Sequence, residues 1–214
     1  MRTAKRAVVV RATAMEPLPL DFDRPLTPAD RARLYDNAFP HYPAVWSDKD
    51  WLLGQWNMGN NYKGSGYHGA YPPSYLKRVL AMFPDVTRML HLFSGSLPPG
   101  RYTRVDRRAD VQQGVVPDVR ADAHALPFLS GAFGLILADP PYSGEDADRY
   151  GSPMVDRKRV FDECVRVLMP TGHLVWLDMI HPMYRKADLK LWGQIGIVRS
   201  TNHRYRLVTM FRRL

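Results

Sequence analysis

Cysteine is almost absent from this chain. Cys164 is the single one in 214 residues, which excludes an internal disulfide framework and any cysteine-rich zinc site. Long apolar runs are missing as well: no stretch approaches the roughly 20 residues that a bilayer-spanning helix needs. Near the start, Ala7-Val8-Val9-Val10 is cut at Arg11, too short for a secretory leader, and reads as an early strand or a loose arm. A reducing, cytoplasmic setting is therefore expected. Acids are the scarce charge, 21 Asp and Glu against 30 Lys and Arg, for a net +9. That balance favours a polyanionic partner, nucleic acid being the commonest. Repeats and low-complexity segments are lacking too. With 45% hydrophobic and 24% charged residues, the chain is long enough to bury one sizeable core. The expected division is an N-terminal extension over residues 1–66 and a main domain over 67–214.

The extension is rich in Arg and Pro at first. Thr27-Pro28-Ala29-Asp30 marks a helix start, with Thr27 as cap and Pro28 in the first turn, and the helix is expected to run through Asp36. Residues 41–71 change character: Trp46, Trp51, Trp56, Tyr62, Tyr67 and Tyr71 alternate with Lys49, Lys63 and His68. The Gly- and Asn-rich stretch 59–67 reads as a mobile loop. Tyr62, Lys63 and Tyr67 could stack bases and contact phosphates, whereas Trp51 and Trp56 equally suit a small satellite core. Tyr71-Pro72-Pro73-Ser74 then opens a helix with Leu76, Val79, Leu80 and Phe83 at helical spacing, stopped by Pro84.

From there the pattern is strand after strand. Met89–Phe93 ends in Ser94-Gly95-Ser96, Arg101–Asp106 ends in an acid, and Asp118–Arg120 leads to Asp122. Leu135–Pro140 is a continuous apolar run that stops at Asp139-Pro140-Pro141-Tyr142. Such a run fits a central strand of a parallel sheet. A helix over Met154–Leu168 follows, with Pro153 in its first turn and Met154, Val160, Phe161, Cys164, Val165 and Leu168 on one apolar stripe. Cys164 on that stripe reads as a buried structural thiol. Pro170-Thr171-Gly172 turns the chain into a strand over His173–Asp178, then a helix near Met183–Gly193 is expected. Two closing strands, Ile195–His203 and Tyr205–Phe211, abut closely enough to require a hairpin. The fold class is α/β: a mostly parallel, doubly wound sheet with a C-terminal antiparallel hairpin, and a ligand crevice beyond the strand ends that carry Gly95, Asp106, Asp122 and Asp139.

These residues bear a resemblance to one family. Asp139-Pro140-Pro141-Tyr142 resembles the catalytic motif of the amino-methyltransferases, class I enzymes that use S-adenosylmethionine on exocyclic nitrogens of bases. Phe93-Ser94-Gly95-Ser96 is similar to their Phe-x-Gly cofactor motif, and His68–Pro73 with its helix resembles the element packed against the methionine end of the cofactor. The stretches 121–128 and 166–172 are also similar to class I methyltransferases in general. The likeness covers roughly residues 68–214, and small phage and prophage DNA N6-adenine methyltransferases look most similar. Where the family often continues Gly-x-Gly, this chain has Gly95-Ser96-Leu97-Pro98-Pro99-Gly100. Residues 94–100 are too few for a crossover helix, so a Rossmann-like methyltransferase sheet lacking the helix after its first strand is expected.

The resemblance implies S-adenosylmethionine as cofactor, held by Tyr71, Pro72, Phe93, Ser94, Gly95, Ser96, Asp106, Asp122, Ala123 and Asp139. Asp106 falls where the family holds the ribose and Asp122 where it holds the adenine. Catalysis would fall to Asp139, Pro140, Pro141 and Tyr142, with Tyr142, Tyr62, Lys63, Tyr67 and Arg204 on the substrate and no metal. The implied reaction is methylation of a base amine in nucleic acid, adenine N6 in DNA foremost. RNA as substrate, a small-molecule acceptor, and a non-catalytic nucleic-acid-binding relative stay open. The acidic loop 143–151 reads as a lid with Gly144 and Gly151 as hinges, or as a solvated loop. Arg199, His203, Arg204, Arg206, Arg212 and Arg213 could track a phosphate backbone.

Overall fold

Helix α1 (Pro28–Ala38) begins as its sequence requires. The Thr27 hydroxyl accepts from the Asp30 N–H, the Asp30 carboxylate accepts from the Thr27 N–H, and Pro28 occupies the first turn. The computed structural model describes residues 22, 24–42, 45–59, 71–72, 74–108, 116–199 and 205–214. The Ala7–Val10 run, the expected Gly59–Tyr67 loop beyond Gly59, Pro73, and residues 200–204, with the end of the strand expected to reach His203, lie outside the described residues.

After α1 come β1 (Val45–Asp48), β2 (Trp51–Met58) and α2 (Tyr75–Ala81). The sheet continues with β3 (Met89–Leu92), β4 (Thr103–Asp106), β5 (Val119–Arg120) and β6 (Phe133–Ala138). Then follow α3 (Gly144–Arg149), α4 (Arg157–Val167), β7 (Leu168–Asp178), β8 (Leu189–Arg199) and β9 (Tyr205–Arg213). The nine strands of the described residues form one sheet in the order β1-β2-β8-β9-β7-β6-β3-β4-β5. Strands β5, β4, β3, β6 and β7 are mutually parallel, and β9 lies antiparallel between β7 and β8. This is the Rossmann-like sheet expected, mostly parallel with an antiparallel C-terminal pair. The order reverses between β3 and β6, the place where open α/β sheets bind ligands.

Two apolar layers sandwich the sheet. On one face, α1 and α2 bring Tyr35, Tyr75, Val79, Met82 and Phe83 against Leu135, Leu137, Val175, Leu177, Ile195 and Val208. On the other, α4 packs Val160, Phe161, Cys164 and Val167 against Leu90, Leu92, Ile136, Leu174 and Trp176. Each fully buried Leu, Ile or Phe contributes roughly 1.5–3 kcal/mol relative to exposure. Cys164 is buried, and burial pushes its thiol well above the usual range, so it is the packing residue expected.

Several boundaries differ from the sequence reading. The helix expected at Met183–Gly193 is absent: residues 181–188 are irregular, and 189–199 form β8. A bulge between Leu191 and Gly193 in the β8–β9 pairing puts Trp192 on the α2 face beside Phe83, which breaks the two-residue alternation and imitates helical spacing. Helix α4 starts at Arg157, not Met154, because the Asp156 carboxylate caps the Arg159 N–H. It stops at Val167, before a residue pair ending in Pro170, and β7 begins at once. The expected turn at 170–172 is a bulge within β7: Phe133 pairs with Leu168 but Leu135 with His173, and Thr171 takes a left-handed φ of 64°. Strand β4 starts at Thr103 rather than Arg101, and β6 runs from Phe133 to Ala138, since Pro140 lacks the N–H a ladder needs. Between β3 and β4, residues 93–102 contain no helix, as expected. Trp56 is fully buried, stacked on Tyr35, whereas Trp51 is 39% exposed.

Candidate active site

Parallel register places the carboxyl ends of β3, β4, β5, β6 and β7 along one edge of the sheet. Leu92 pairs with Val105 and with Ala138, Asp106 with Arg120, and Ala138 with Trp176. Phe93–Ser96, Asp106, Asp122, Asp139 and Asp178 follow directly on these positions. The antiparallel β9 begins on the same edge, where Leu207 faces Asp178.

The turn after β3 is tightly specified. Ser94 N–H donates to the Val105 carbonyl at 3.1 Å, Leu97 N–H to the Ser94 carbonyl at 2.9 Å, and Gly95 N–H to Asp106 Oδ2 at 2.9 Å. Phe93 at φ 58° and Gly95 at φ 48° both take left-handed backbone; for the phenylalanine this costs on the order of 1 kcal/mol or more. Ser94 is buried and its Oγ has no hydrogen-bond partner among the described residues. Asp106 Oδ1 accepts from Arg108 N–H at 3.0 Å. Because each carboxylate oxygen offers two lone pairs, Asp106 can accept further donors at both.

Asp122 accepts from the His124 N–H at 2.9 Å and lies 2.6 Å from His124 Nδ1, both through Oδ1. The backbone N–H bond holds its carboxyl below the usual range, with burial opposing. Asp122 is thus an ionised, exposed acceptor, and its neighbour Ala123 is buried. The resulting set is one that a nucleoside-bearing cofactor could use: two carboxylates on successive strand ends, and a buried serine hydroxyl seeking a partner.

Across the switch point stands the second corner. Pro140 and Pro141 are buried, and Asp139 and Tyr142 are half-buried. The Tyr142 hydroxyl donates to Asp139 Oδ1 at 2.5 Å. Burial pushes the Asp139 carboxyl up to about 6, with Arg206 and the Tyr142 hydroxyl pulling down and Asp178 and Asp146 pushing up. Tyr142 is held at its other end too: Arg157 Nη2 donates to its carbonyl at 3.3 Å. Arg157 is anchored by Asp178, which is fully buried and accepts from Arg157 Nε at 2.8 Å, Trp176 Nε1 at 3.2 Å and Met179 N–H at 2.7 Å. The Arg206 guanidinium lies over the Tyr142 ring, 4.9 Å from its centre.

Tyr71 and Tyr75 wall the same corner from the α2 side, stacked at 5.0 Å. Tyr71 lies 3.5 Å from His91 Nδ1, and Pro72 is buried. Burial first, and then the Asp139 charge, push both phenols well above their ordinary range, so they are neutral donors. The Tyr75 hydroxyl is buried without a partner among the described residues. Burial lowers His91 to about 4, leaving it neutral at pH 7.

Of the residues picked from sequence, Tyr71, Pro72, Phe93–Ser96, Asp106, Asp122, Ala123 and Asp139–Tyr142 all lie on or beside this edge. Tyr62, Lys63, Tyr67 and Arg204 lie outside the described residues. The loop expected at 143–151 carries α3, capped by the Ser143 hydroxyl and docked through buried Ala147. Tyr75, Arg157, Asp178 and the position of Arg206 were not picked out. For Asp178 the signal was present: like Asp106 and Asp139, it closes an apolar strand with an acid. Among the described residues no cluster of three metal-ligating side chains occurs.

No family model and no curated protein matches the chain. Solved structures do. TrmN from Thermus thermophilus is similar at 19% identity and a TM-score of 0.49, over 72% of this chain and 53% of TrmN, so the chain spans about half of that protein's length. The N-methyltransferase NodS from Bradyrhizobium japonicum WM9 is similar at 17% identity and a TM-score of 0.40, over 60% of this chain and 86% of NodS. The [4+2]-cyclase SpnF is similar at 12% and 0.42, over 59% and 74%. Neighbours named for such different reactions leave the chemistry to be argued from the site.

Proposed function

We propose that this chain transfers a methyl group from S-adenosylmethionine to an exocyclic amino nitrogen of a nucleic-acid base, adenine N6 in DNA foremost. The observation that carries this reading is the Asp139–Tyr142 corner: a carboxylate at the end of the central strand β6, bonded to a held aromatic ring and flanked by the Phe93–Ser96 turn. The residues present fit the cofactor. Asp106 and Asp122 are acceptors suited to ribose hydroxyls and an adenine amine, and the Ser94 and Tyr75 hydroxyls lack partners among the described residues, which a methionine head group would supply. When bound, the cofactor supplies an electrophilic methyl on a sulfonium.

An exocyclic amine is a poor nucleophile because its lone pair is delocalised into the ring. Asp139, ionised at pH 7, accepts one of its N–H groups, and the Pro140 carbonyl accepts the other. With the cofactor held by Ser94, Asp106 and Asp122, its methyl would be supplied to that nitrogen, which would then carry a surplus proton. Asp139, at about 6, is suited to take that proton and release it to water. Pro140 and Pro141 restrict the turn so that the two acceptors keep their spacing. Tyr142 stacks on the extruded base, contributing about 1–3 kcal/mol, comparable with the few kcal/mol that flipping costs. Most of the rate comes from alignment. In this reading residues 1–66, with Tyr62 and Lys63, and Tyr67 and Arg204 beyond them, contact the target, and 67–214 perform the transfer.

The test is transfer of methyl-labelled S-adenosylmethionine to DNA, RNA and free nucleosides by the wild-type protein and Asp139→Ala. Label in DNA that disappears in the variant supports the reading. Label in RNA alone moves the substrate, and label only in a small molecule sinks it. Failure to bind the cofactor in calorimetry leaves a non-catalytic binder.

A further inference from the structure

We infer that Arg206 is the phosphate clamp of the target nucleotide, parked in the free protein on the ring face that the target base takes. This rests on the function proposed above and adds to it the residue that recognises the backbone of the flipped nucleotide.

Three other deeply placed arginines have carboxylate partners, Arg31 with Asp85, Arg104 with Asp118 and Arg157 with Asp178, and buried Arg78 instead donates to the Tyr35 hydroxyl. Arg206 is half-buried, yet no carboxylate of the described residues lies within ion-pair distance of it. Its observed contact is the Tyr142 ring, with its guanidinium carbon 4.9 Å from the centroid. A cation over an aromatic face is worth roughly 0.5–2 kcal/mol, a weak tether for a group that has given up part of its hydration. Its charge is felt at Asp139, whose carboxyl Arg206 pulls down.

The ring beneath Arg206 is not free to move with it. Tyr142 is fixed through its hydroxyl to Asp139 and through its carbonyl to Arg157, itself locked to Asp178. A base stacking on this face must therefore displace the guanidinium rather than the ring. Arg206 is the second residue of β9, paired with Ile197, so its long side chain pivots at the strand end, on the edge where the substrate enters. A flipped nucleotide brings its own anion, a flanking phosphate, beside the base it inserts. A guanidinium meets phosphate through paired charge-assisted hydrogen bonds, which outweigh the ring contact. Exchanging ring for phosphate thus couples base entry to backbone capture, and a substrate lacking the phosphate has to displace Arg206 without return.

The experiment measures KM for a single-stranded oligodeoxynucleotide carrying one adenine, for the same oligonucleotide with each phosphate flanking that adenine replaced in turn by a neutral methylphosphonate, and for deoxyadenosine. Wild type, Arg206→Ala and Arg206→Lys are compared at about pH 8.5, where Asp139 is ionised. In wild type, neutralising one flanking phosphate raises KM about tenfold or more, as for a lost charge-assisted hydrogen bond. Arg206→Ala raises KM for the intact oligonucleotide similarly, is indifferent to that same methylphosphonate, and lowers KM for deoxyadenosine because the ring face is vacated. Arg206→Lys falls between. A merely structural role would raise KM for both substrates. An equal methylphosphonate penalty in wild type and Arg206→Ala overturns the clamp, and so does a matching loss of S-adenosylmethionine affinity in calorimetry, which would assign the guanidinium to the cofactor carboxylate. A wild-type protein that methylates no base overturns the proposed function itself, a result seen before any Arg206 variant is made.

Discussion

Replacing Asp139 by asparagine keeps the shape of the side chain and an oxygen for the Tyr142 hydroxyl, but removes one ionisation. Burial raises the Asp139 carboxyl from its ordinary 3.8 to about 6, so folding favours its protonated form. A raised carboxyl works against stability as pH increases: the cost is absent below about 3.8, grows between there and 6, and is constant above. A shift of about two units corresponds to roughly 3 kcal/mol. Asp139→Asn should therefore be more stable than wild type by up to about 3 kcal/mol at pH 8, and by less than about 1 kcal/mol near pH 4. For a chain of this size that is a rise in Tm on the order of 5–10 °C at pH 8. Calorimetric melting of both proteins without cofactor, at pH 4 and pH 8, reads the difference directly. The same variant should lose methyl transfer. An Asp139→Asn protein that melts below wild type at pH 8, or whose advantage does not change with pH, would refute the claim that the site holds a carboxylate at a cost to the fold.

Three further outcomes follow from particular contacts. Arg157→Ala leaves the Asp178 carboxylate buried with only the Trp176 and Met179 donors, and should cost about 3–5 kcal/mol in chemical denaturation; a loss under about 1 kcal/mol would mean the pair is not needed. Asp106→Ala frees the Gly95 N–H and removes an acceptor, and should weaken S-adenosylmethionine binding about tenfold or more in titration calorimetry; unchanged affinity would take Asp106 out of the cofactor site. Gly193→Ala would put a methyl 2.7 Å from the Leu52 carbonyl oxygen in the neighbouring strand, costing about 1–3 kcal/mol. The atoms nearest a Gly196→Ala methyl belong to the Tyr205 side chain, which is exposed and can rotate away, so this change should cost less than about 1 kcal/mol; equal melting shifts for the two would contradict this.

What the sequence carried most plainly was the parallel core. Leu135–Ala138 and Leu174–Leu177 are buried on both faces and so read as unbroken apolar runs, and the acids that end such runs fall on one edge because the strands are parallel. Helix α1 was legible from local chemistry alone, through Thr27, Pro28 and Asp30. The outer strands were harder. In β2, aromatic Trp51 is exposed while Leu52, Trp56 and Met58 are buried, so ring content masks the alternation and suggests a stacking surface. In β8, the bulge at Leu191 and Gly193 shifts the apolar phase in mid-strand. The clamp on Tyr142 had no local signature, since Arg157 and Asp178 are 21 residues apart and only the docking of α4 on β7 joins them. Arg206 was visible as one basic residue among several; its place over Tyr142 depends on β9 entering antiparallel beside β7.

The parallel pairing of β2 with β8 has a consequence for synthesis. Leu52 finds its ladder partner at Gly193, about 140 residues later. At roughly 5–20 residues per second, the ribosome takes about 7–30 s to deliver β8 after β2 has emerged. Throughout that interval the antiparallel β1 is its one ladder partner, with α1 packed on it through Tyr35 and Trp56, and a lone hairpin is marginal in water. Its outer edge, a row of backbone N–H and C=O groups that β8 later pairs, is an open template for another nascent chain. Expression of this protein should thus be limited by chaperone capacity during translation more than by the stability of the finished sheet.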